Sequence, residues 1–152
     1  MFPKSIIIKI KSYETGQPIP NIAVKIRLFA THKNDYTCIP SLSDKNGIIE
    51  VKKDWLNKEI EKSLTLFAMD YSSTLRDCKP QIGIKIMDLD EVQRAVQGWT
   101  EWKNILNIPQ IEIDYLSKAS NREYEPVSQI VNLNGQSSRE VELVTKIMKK
   151  KA

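Results

Sequence analysis

The most reactive side chains in the sequence belong to one histidine, His32, and two cysteines, Cys38 and Cys78. A cysteine and a histidine can form a nucleophilic pair in which the imidazole activates the thiol. Neither cysteine follows a family signature or begins a predicted helix, so nothing in the sequence favours a thiolate. A hydrolase that combines Cys38 or Cys78 with His32 and an acid therefore stays open only as an alternative function.

The same residues give little reason to expect a metal, a cofactor or a disulfide. Zinc motifs place their ligands at close spacings that one histidine and two distant cysteines do not provide. The five glycines are scattered singly, so the chain has no glycine-rich phosphate loop. Two cysteines without an export signal are typical of reduced thiols. We predict no metal site, no cofactor and no disulfide.

A second group of candidates lies on a predicted helix that begins near residue 88. Asp88, Asp90 and Glu91 place three carboxylates together, but carboxylates at a helix start are explained by capping and by the helix dipole. Trp99 and Trp102 lie three residues apart and share a helix face. This pair either packs the helix onto a sheet or forms a partner-binding surface, and we take it as the candidate partner site.

Most of the net positive charge of the chain comes from its C-terminal tail. We expect this tail to be frayed over residues 149–152. The net charge is +4, from 23 basic and 19 acidic residues, and without Lys149, Lys150 and Lys151 the balance is 20 to 19. These three lysines and Lys146 are candidate anion-binding residues. Weak binding of nucleic acid or of an anionic surface is therefore an alternative function, and we do not expect nucleic acid to be the main partner.

Hydrophobic periodicity predicts the elements that must position these residues. Alternation with a period of two, or a short apolar run, predicts strands over residues 4–11, 22–29, 36–42, 63–71, 81–87, 110–116, 127–133 and 140–148. Asn46 and Gly47 precede a further strand at 48–51 and predict a tight hairpin. Apolar residues at three- and four-residue steps predict a short helix near 54–60 and an amphipathic helix over about 88–106, with Gly98 inside it.

Two turn-plus-strand patterns carry a family resemblance. Residues 15–26 are TGQPIPNIAVKI, and residues 43–49 are SDKNGII. Over roughly residues 4–87 the sequence resembles the transthyretin-like or carboxypeptidase-regulatory-like β-sandwich family, and the resemblance implies a sandwich fold. Relatives that hydrolyse hydroxyisourate use several histidines and a terminal tyrosine-arginine-glycine-serine signature, which this chain lacks, so that activity is not expected.

These observations favour a mainly β protein: an antiparallel β-sandwich of the prealbumin or immunoglobulin type, with an added C-terminal helix and strands. At 152 residues the chain has the length of a single domain. We expect a noncatalytic binding or accessory module for a protein partner whose identity is unknown. A homodimer formed by edge-strand pairing is a further expectation. No signal peptide is visible and no apolar stretch has the length of a membrane span, which favours a cytoplasmic location.

Overall fold

A computed structural model describes residues 2–30, 36–66, 78–133 and 138–148. Within these residues four strands precede the first helix, one strand separates it from two further helices, and a 3-10 turn at Asn121–Glu123 precedes the last two strands. The elements are β1 (Ser5–Ser12), β2 (Val24–Ala30), β3 (Tyr36–Cys38), β4 (Ile48–Lys52), α1 (Lys53–Leu66), β5 (Cys78–Ile86), α2 (Leu89–Leu106), α3 (Gln110–Ser117), β6 (Ser128–Asn132) and β7 (Ser138–Thr145).

The strands form two sheets that pack as a β-sandwich, as the sequence predicts. One sheet has the order β4-β1-β7 and the other the order β3-β2-β5-β6. Among the described strands, every pair is antiparallel except β1 with β7, where Ile8 lies opposite Val141 in a parallel ladder. Within the described residues β3, β4, β6 and β7 are edge strands, and dimerisation through such an edge stays a prediction.

The period-two pattern of β1 decides which side chains enter the core. Ile6, Ile8 and Ile10 are buried between the sheets, while the residues between them are only partly covered. The facing sheet contributes alternate residues of β2 and β5 in the same way. Helix α1 packs beside β3 and β4, and its residues Leu56 and Ile60 join this core. Helix α1 therefore lies over one side of the sandwich.

Two strand predictions are wrong because short apolar segments can show both periodicities. Residues 110–116 alternate through Ile111, Ile113 and Tyr115, but they form helix α3. Its buried residues are Ile113 and Leu116, which are three apart and face the protein, while Ile111 and Tyr115 are exposed. The predicted strand at 63–71 is also contradicted, because α1 continues to Leu66. Residues 67–71 lie outside the described residues.

The turn at Gly47 forms, but it does not make the predicted hairpin. The Gly47 amide donates to the Asp44 carbonyl at 2.9 Å, and Gly47 has a φ of 72°. However, β3 before the turn lies in the four-stranded sheet, and β4 after it lies in the other sheet. The turn therefore belongs to a crossover between sheets, which a local turn signal cannot distinguish from a hairpin.

The two sequence patterns that suggest the sandwich meet at the buried side chain of Ser43. Its hydroxyl donates to the Ile19 carbonyl at 2.8 Å and accepts from the Ile22 amide at 2.9 Å. The backbones of Ser43 and Asn21 are also hydrogen bonded, at 2.9 Å. The turn before β2 and the turn before β4 are thus held together as one junction.

Within the part of the chain that the structure describes, no helix combines the length and the apolar character that crossing a membrane requires.

Candidate functional site

The predicted amphipathic helix is confirmed as α2, and its acidic start is a capping box. The Asp88 carboxylate accepts from the Glu91 amide at 2.8 Å, and the Glu91 carboxylate accepts from the Asp88 amide at 3.3 Å. Glu91 also forms ion pairs with Lys25 of β2 at 2.5 Å and Lys85 of β5 at 2.6 Å. These acids hold the helix onto the sheet, which gives them a structural role.

The lysine pair controls the ionisation of Glu91. Burial of its side chain is the largest single effect and by itself raises the pKa. Hydrogen bonds from Lys25, Lys85 and the Asp88 amide together outweigh burial and lower the pKa to about 2. Glu91 is therefore a carboxylate at neutral pH, and both lysine charges that approach it are neutralised in part.

A second, smaller hydrophobic cluster lies between α2, α3 and the ends of the sandwich strands. Val92 of α2 and Leu116 of α3 are buried in it together with Ala23, Leu42 and Met87. The partly buried residues packed against this cluster are Ile39, Ala95, Val96, Trp99 and Ala119. The pair of helices is therefore anchored along one stripe, and the residues beyond the stripe reach solvent.

A cleft of about 660 Å³ separates this helix pair from α1 and the edge strand β3. One wall consists of Thr37, Cys38 and the segment 39–42, which continues from β3. Trp55 of α1 lies in a second wall, and Trp99 of α2 lies in a third. The remaining apolar lining comes from the α2–α3 junction and from α3, through Leu106, Ile108, Ile111, Tyr115 and Leu116.

Among the described residues, the charged side chains that line the cleft are acidic. Glu50 of β4, Glu59 of α1 and Glu112 of α3 contribute to its walls, while none of the described lining residues is lysine, arginine or histidine. Glu50 and Glu112 are exposed, so their carboxylates face solvent at the cleft. The cleft thus combines an apolar surface with negative charge, in a chain whose net charge is +4.

The two predicted tryptophans do not occupy one site. Trp99 is partly buried and lines the cleft, whereas Trp102 is 43% exposed and does not line it. The second aromatic wall comes from Trp55, which the sequence places on a short helix without marking it as functional. Leu56 and Ile60 show which face of α1 is buried, and Trp55 lies at the margin of that face. Only the fold brings Trp55 to the same cleft as Trp99.

The cysteine geometry agrees with reduced thiols and argues against Cys38 as a nucleophile. Cys38 pairs with Ile26 of β2, and Cys78 pairs with Ala30 of the same strand from the other side. This register separates the two cysteines by roughly 16 Å, beyond the reach of a disulfide, and neither forms one. Burial, with a smaller contribution from Glu59, raises the pKa of the Cys38 thiol far above its ordinary value. His32 lies outside the described residues.

The remaining candidates gain no shared site within the described residues. No cluster there of at least three histidine, cysteine, aspartate or glutamate residues could hold a metal ion. Lys146 lies over the Tyr13 ring at 4.6 Å. Hydrogen bonding to the Glu14 backbone is the main cause that lowers the pKa of Glu14, and the charge of Lys146 makes a smaller contribution. Lys149, Lys150 and Lys151 lie outside the described residues, so the anion-binding role of these lysines stays a prediction.

Comparison with known proteins leaves the family open. No family model matches the chain, and no curated protein matches it. Among solved structures, it is similar to part of a 9R-lipoxygenase from Cyanothece PCC8801, with 11% sequence identity and a TM-score of 0.39. The match covers 95% of this chain and 16% of the lipoxygenase chain. A likeness of this quality carries no argument, and the transthyretin-like resemblance stays a prediction.

Proposed function

We propose that this protein is a noncatalytic binding module that holds a segment of a partner protein in the cleft between Trp55 and Trp99. The observation that carries the proposal is an apolar cleft with two tryptophans in its walls and with exposed apolar residues on α3. Ile111 is 74% exposed and Tyr115 is 53% exposed, and both line the cleft. Side chains of this kind, grouped in a concave surface, are typical of binding sites.

The size and the composition of the cleft fit this role. Binding pockets commonly have volumes of about 300–1,000 Å³, and this cleft of about 660 Å³ lies within that range. Tryptophan and tyrosine contribute a large contact area with few rotatable bonds, so they lose little conformational entropy when a partner binds. Trp55, Trp99 and Tyr115 therefore supply the surface from which most of the binding free energy would come.

The chemistry of the cleft favours binding over nucleophilic catalysis. Cys38 is the thiol that lines it, and burial raises the pKa of this thiol, so it is protonated at neutral pH. A protonated thiol is a poor nucleophile.

Selection from a library of displayed random peptides tests the proposal without knowledge of the natural partner. Peptides enriched on the wild-type protein would be synthesised and titrated against Trp99→Ala and Trp102→Ala. Both substitutions remove a tryptophan from α2, but only Trp99 lines the cleft. We expect Trp99→Ala to weaken binding by at least about tenfold and Trp102→Ala to leave the affinity within about twofold of wild type.

A second pair of variants guards against loss of folding, because Trp99 also packs on the small cluster. Ile111→Ser removes an exposed residue of the cleft, and Ile105→Ser removes a residue of α2 that is 64% exposed and does not line it. We expect both variants to melt like wild type and only Ile111→Ser to bind more weakly. The proposal is wrong if no peptide is enriched, or if the two variants of this pair bind equally well.

A further inference from the structure

The acidic lining of the cleft indicates the chemistry of the segment that binds there. Glu50 of β4 and Glu112 of α3 are both exposed, so negative charge reaches the cleft from two elements. Elsewhere on the described surface, positive and negative side chains lie together, as in the ion pairs of Lys9 with Glu140 and of Lys11 with Glu142. Negative charge without a basic residue in the lining is thus a property of this cleft among the described residues.

We propose that the cleft binds an extended peptide segment in which apolar side chains alternate with lysine or arginine. This inference rests on the proposed function and specifies its partner. Apolar side chains would contact Trp55, Trp99 and Tyr115, and basic side chains would pair with the carboxylates of Glu50 and Glu112. Complementary charge favours such a segment over an acidic one, both in encounter rate and in affinity.

The edge strand beside the cleft is the reason to expect an extended peptide as the ligand. Strand β3 pairs with β2 on one side, and within the described residues no strand pairs with its other edge. Thr37 and Cys38 of β3 also line the cleft. An extended peptide can hydrogen bond to the backbone of such an edge while alternate side chains enter the neighbouring cleft. The apolar side chains would then enter the cleft, and the basic side chains on the opposite face of the peptide would lie towards solvent, where the Glu50 and Glu112 carboxylates are exposed.

A series of synthetic peptides tests the charge preference directly. Three peptides would share one pattern of leucine and phenylalanine at alternate positions and carry lysine, glutamine or glutamate between them. Each would be titrated against the full chain by fluorescence anisotropy. We expect the lysine peptide to bind at least about tenfold more tightly than the glutamate peptide. Its affinity should fall several-fold between about 0.05 and 0.5 M salt, because salt screens exposed charges.

Charge variants locate the effect in the cleft. Glu50→Gln combined with Glu112→Gln removes two exposed carboxylates of the lining, and we expect it to reduce the preference for lysine to less than about threefold. Glu101→Gln is the matched control, because Glu101 is exposed on α2 and does not line the cleft. We expect this control to keep the preference of the wild-type protein.

Failure of the charge preference can be distinguished from failure of the proposed function. If the random library enriches cleft-binding peptides without lysine or arginine, or if the glutamate peptide binds as tightly as the lysine peptide, the inferred partner class is wrong while the cleft remains a binding site. If Glu101→Gln abolishes the preference as the double variant does, the charge effect does not arise in the cleft. If neither the library nor the series gives a ligand, both proposals are wrong.

Discussion

The side chain of Asn121 completes the hydrogen bonding of Ala23 as a neighbouring strand would. Its carbonyl oxygen accepts from the Ala23 amide at 2.8 Å, and its amide group donates to the Ala23 carbonyl at 2.9 Å. The same amide group donates to the Met87 carbonyl at 2.6 Å. Because Asn121 follows α3 and is fully buried, these bonds hold the end of the α2–α3 pair against β2 and β5.

We expect Asn121→Ala to lower the free energy of unfolding by roughly 2–3 kcal/mol, because the buried Ala23 amide loses its partner. Urea unfolding followed by circular dichroism would measure this loss. Asn132→Ala is the control, since Asn132 also forms a side-chain hydrogen bond, with Gln81, but on the surface. The control should change stability by less than about 0.5 kcal/mol. Equal effects of the two substitutions would contradict the role of Asn121.

The ion pairs of Glu91 should make the stability of the fold depend on pH in the acidic range. Its pKa is about 2 in the folded protein, below an ordinary value of 4.5, so its carboxylate stabilises the fold above about pH 4.5. This stabilisation is lost as the pH falls towards 2. We expect wild type to lose roughly 1–2 kcal/mol more than Glu91→Gln between pH 5 and pH 2, with urea unfolding as the measurement.

Asp90→Asn is the matched control for this pH dependence. Asp90 forms an ion pair with Arg94 at 2.7 Å, but both side chains are largely exposed, so this pair contributes little to the free energy of unfolding. The variant should therefore lose stability in acid as wild type does. If Glu91→Gln and wild type show parallel curves, the two lysines do not stabilise the ionised form of Glu91.

Substitution by alanine should lower the stability of the fold at Gly47 and raise it at Gly98. A Cβ atom on Gly47 would lie 2.6 Å from the Ile10 carbonyl oxygen, and its φ of 72° is unfavourable for alanine. We expect Gly47→Ala to cost more than about 2 kcal/mol. A Cβ on Gly98 meets nothing within 4 Å, so Gly98→Ala should stabilise α2 by about 0.5–1 kcal/mol. A lower melting temperature for Gly98→Ala than for wild type would contradict the open space beside Gly98.

The Cys38 thiol should be unreactive in the folded protein, because it is buried and burial raises its pKa. The variant Cys78→Ser isolates it for titration with a chromogenic disulfide reagent. We expect no reaction at neutral pH until denaturant is added, and one thiol per chain afterwards. Rapid reaction of the native variant would contradict the placement of Cys38 and would revive the hydrolase alternative.

Local sequence patterns identify most of the fold. Period-two alternation predicts β1, β2 and β7, strands are also predicted where β5 and β6 form, and the capping box of Asp88 predicts the start of α2. The pattern fails at α3, where Ile111 and Ile113 suggest a strand although Ile113 and Leu116 form the buried face. In a segment this short, a few apolar residues match both periods, and contact with α2 decides the outcome.

The cleft is less predictable than the fold because its walls are distant in sequence. Trp99 is visible on an amphipathic helix, but nothing local connects it with Trp55 or with the carboxylate of Glu112. The crossover that separates β3 from β4 and the turn from α2 into α3 bring these residues together. The sequence pattern also pairs Trp99 with Trp102, whereas the fold places only Trp99 in the cleft.

The most direct test of the binding cleft uses the three tryptophans as reporters. Each indole N–H gives its own signal in a nitrogen–proton correlation spectrum of the labelled protein, and single substitutions to phenylalanine assign the signals. On titration with the lysine peptide, or with a peptide enriched from the random library, we expect the Trp55 and Trp99 signals to shift together while Trp102 stays unchanged. A shift of Trp102 alone, or saturable binding that moves neither Trp55 nor Trp99, would show that the partner binds elsewhere.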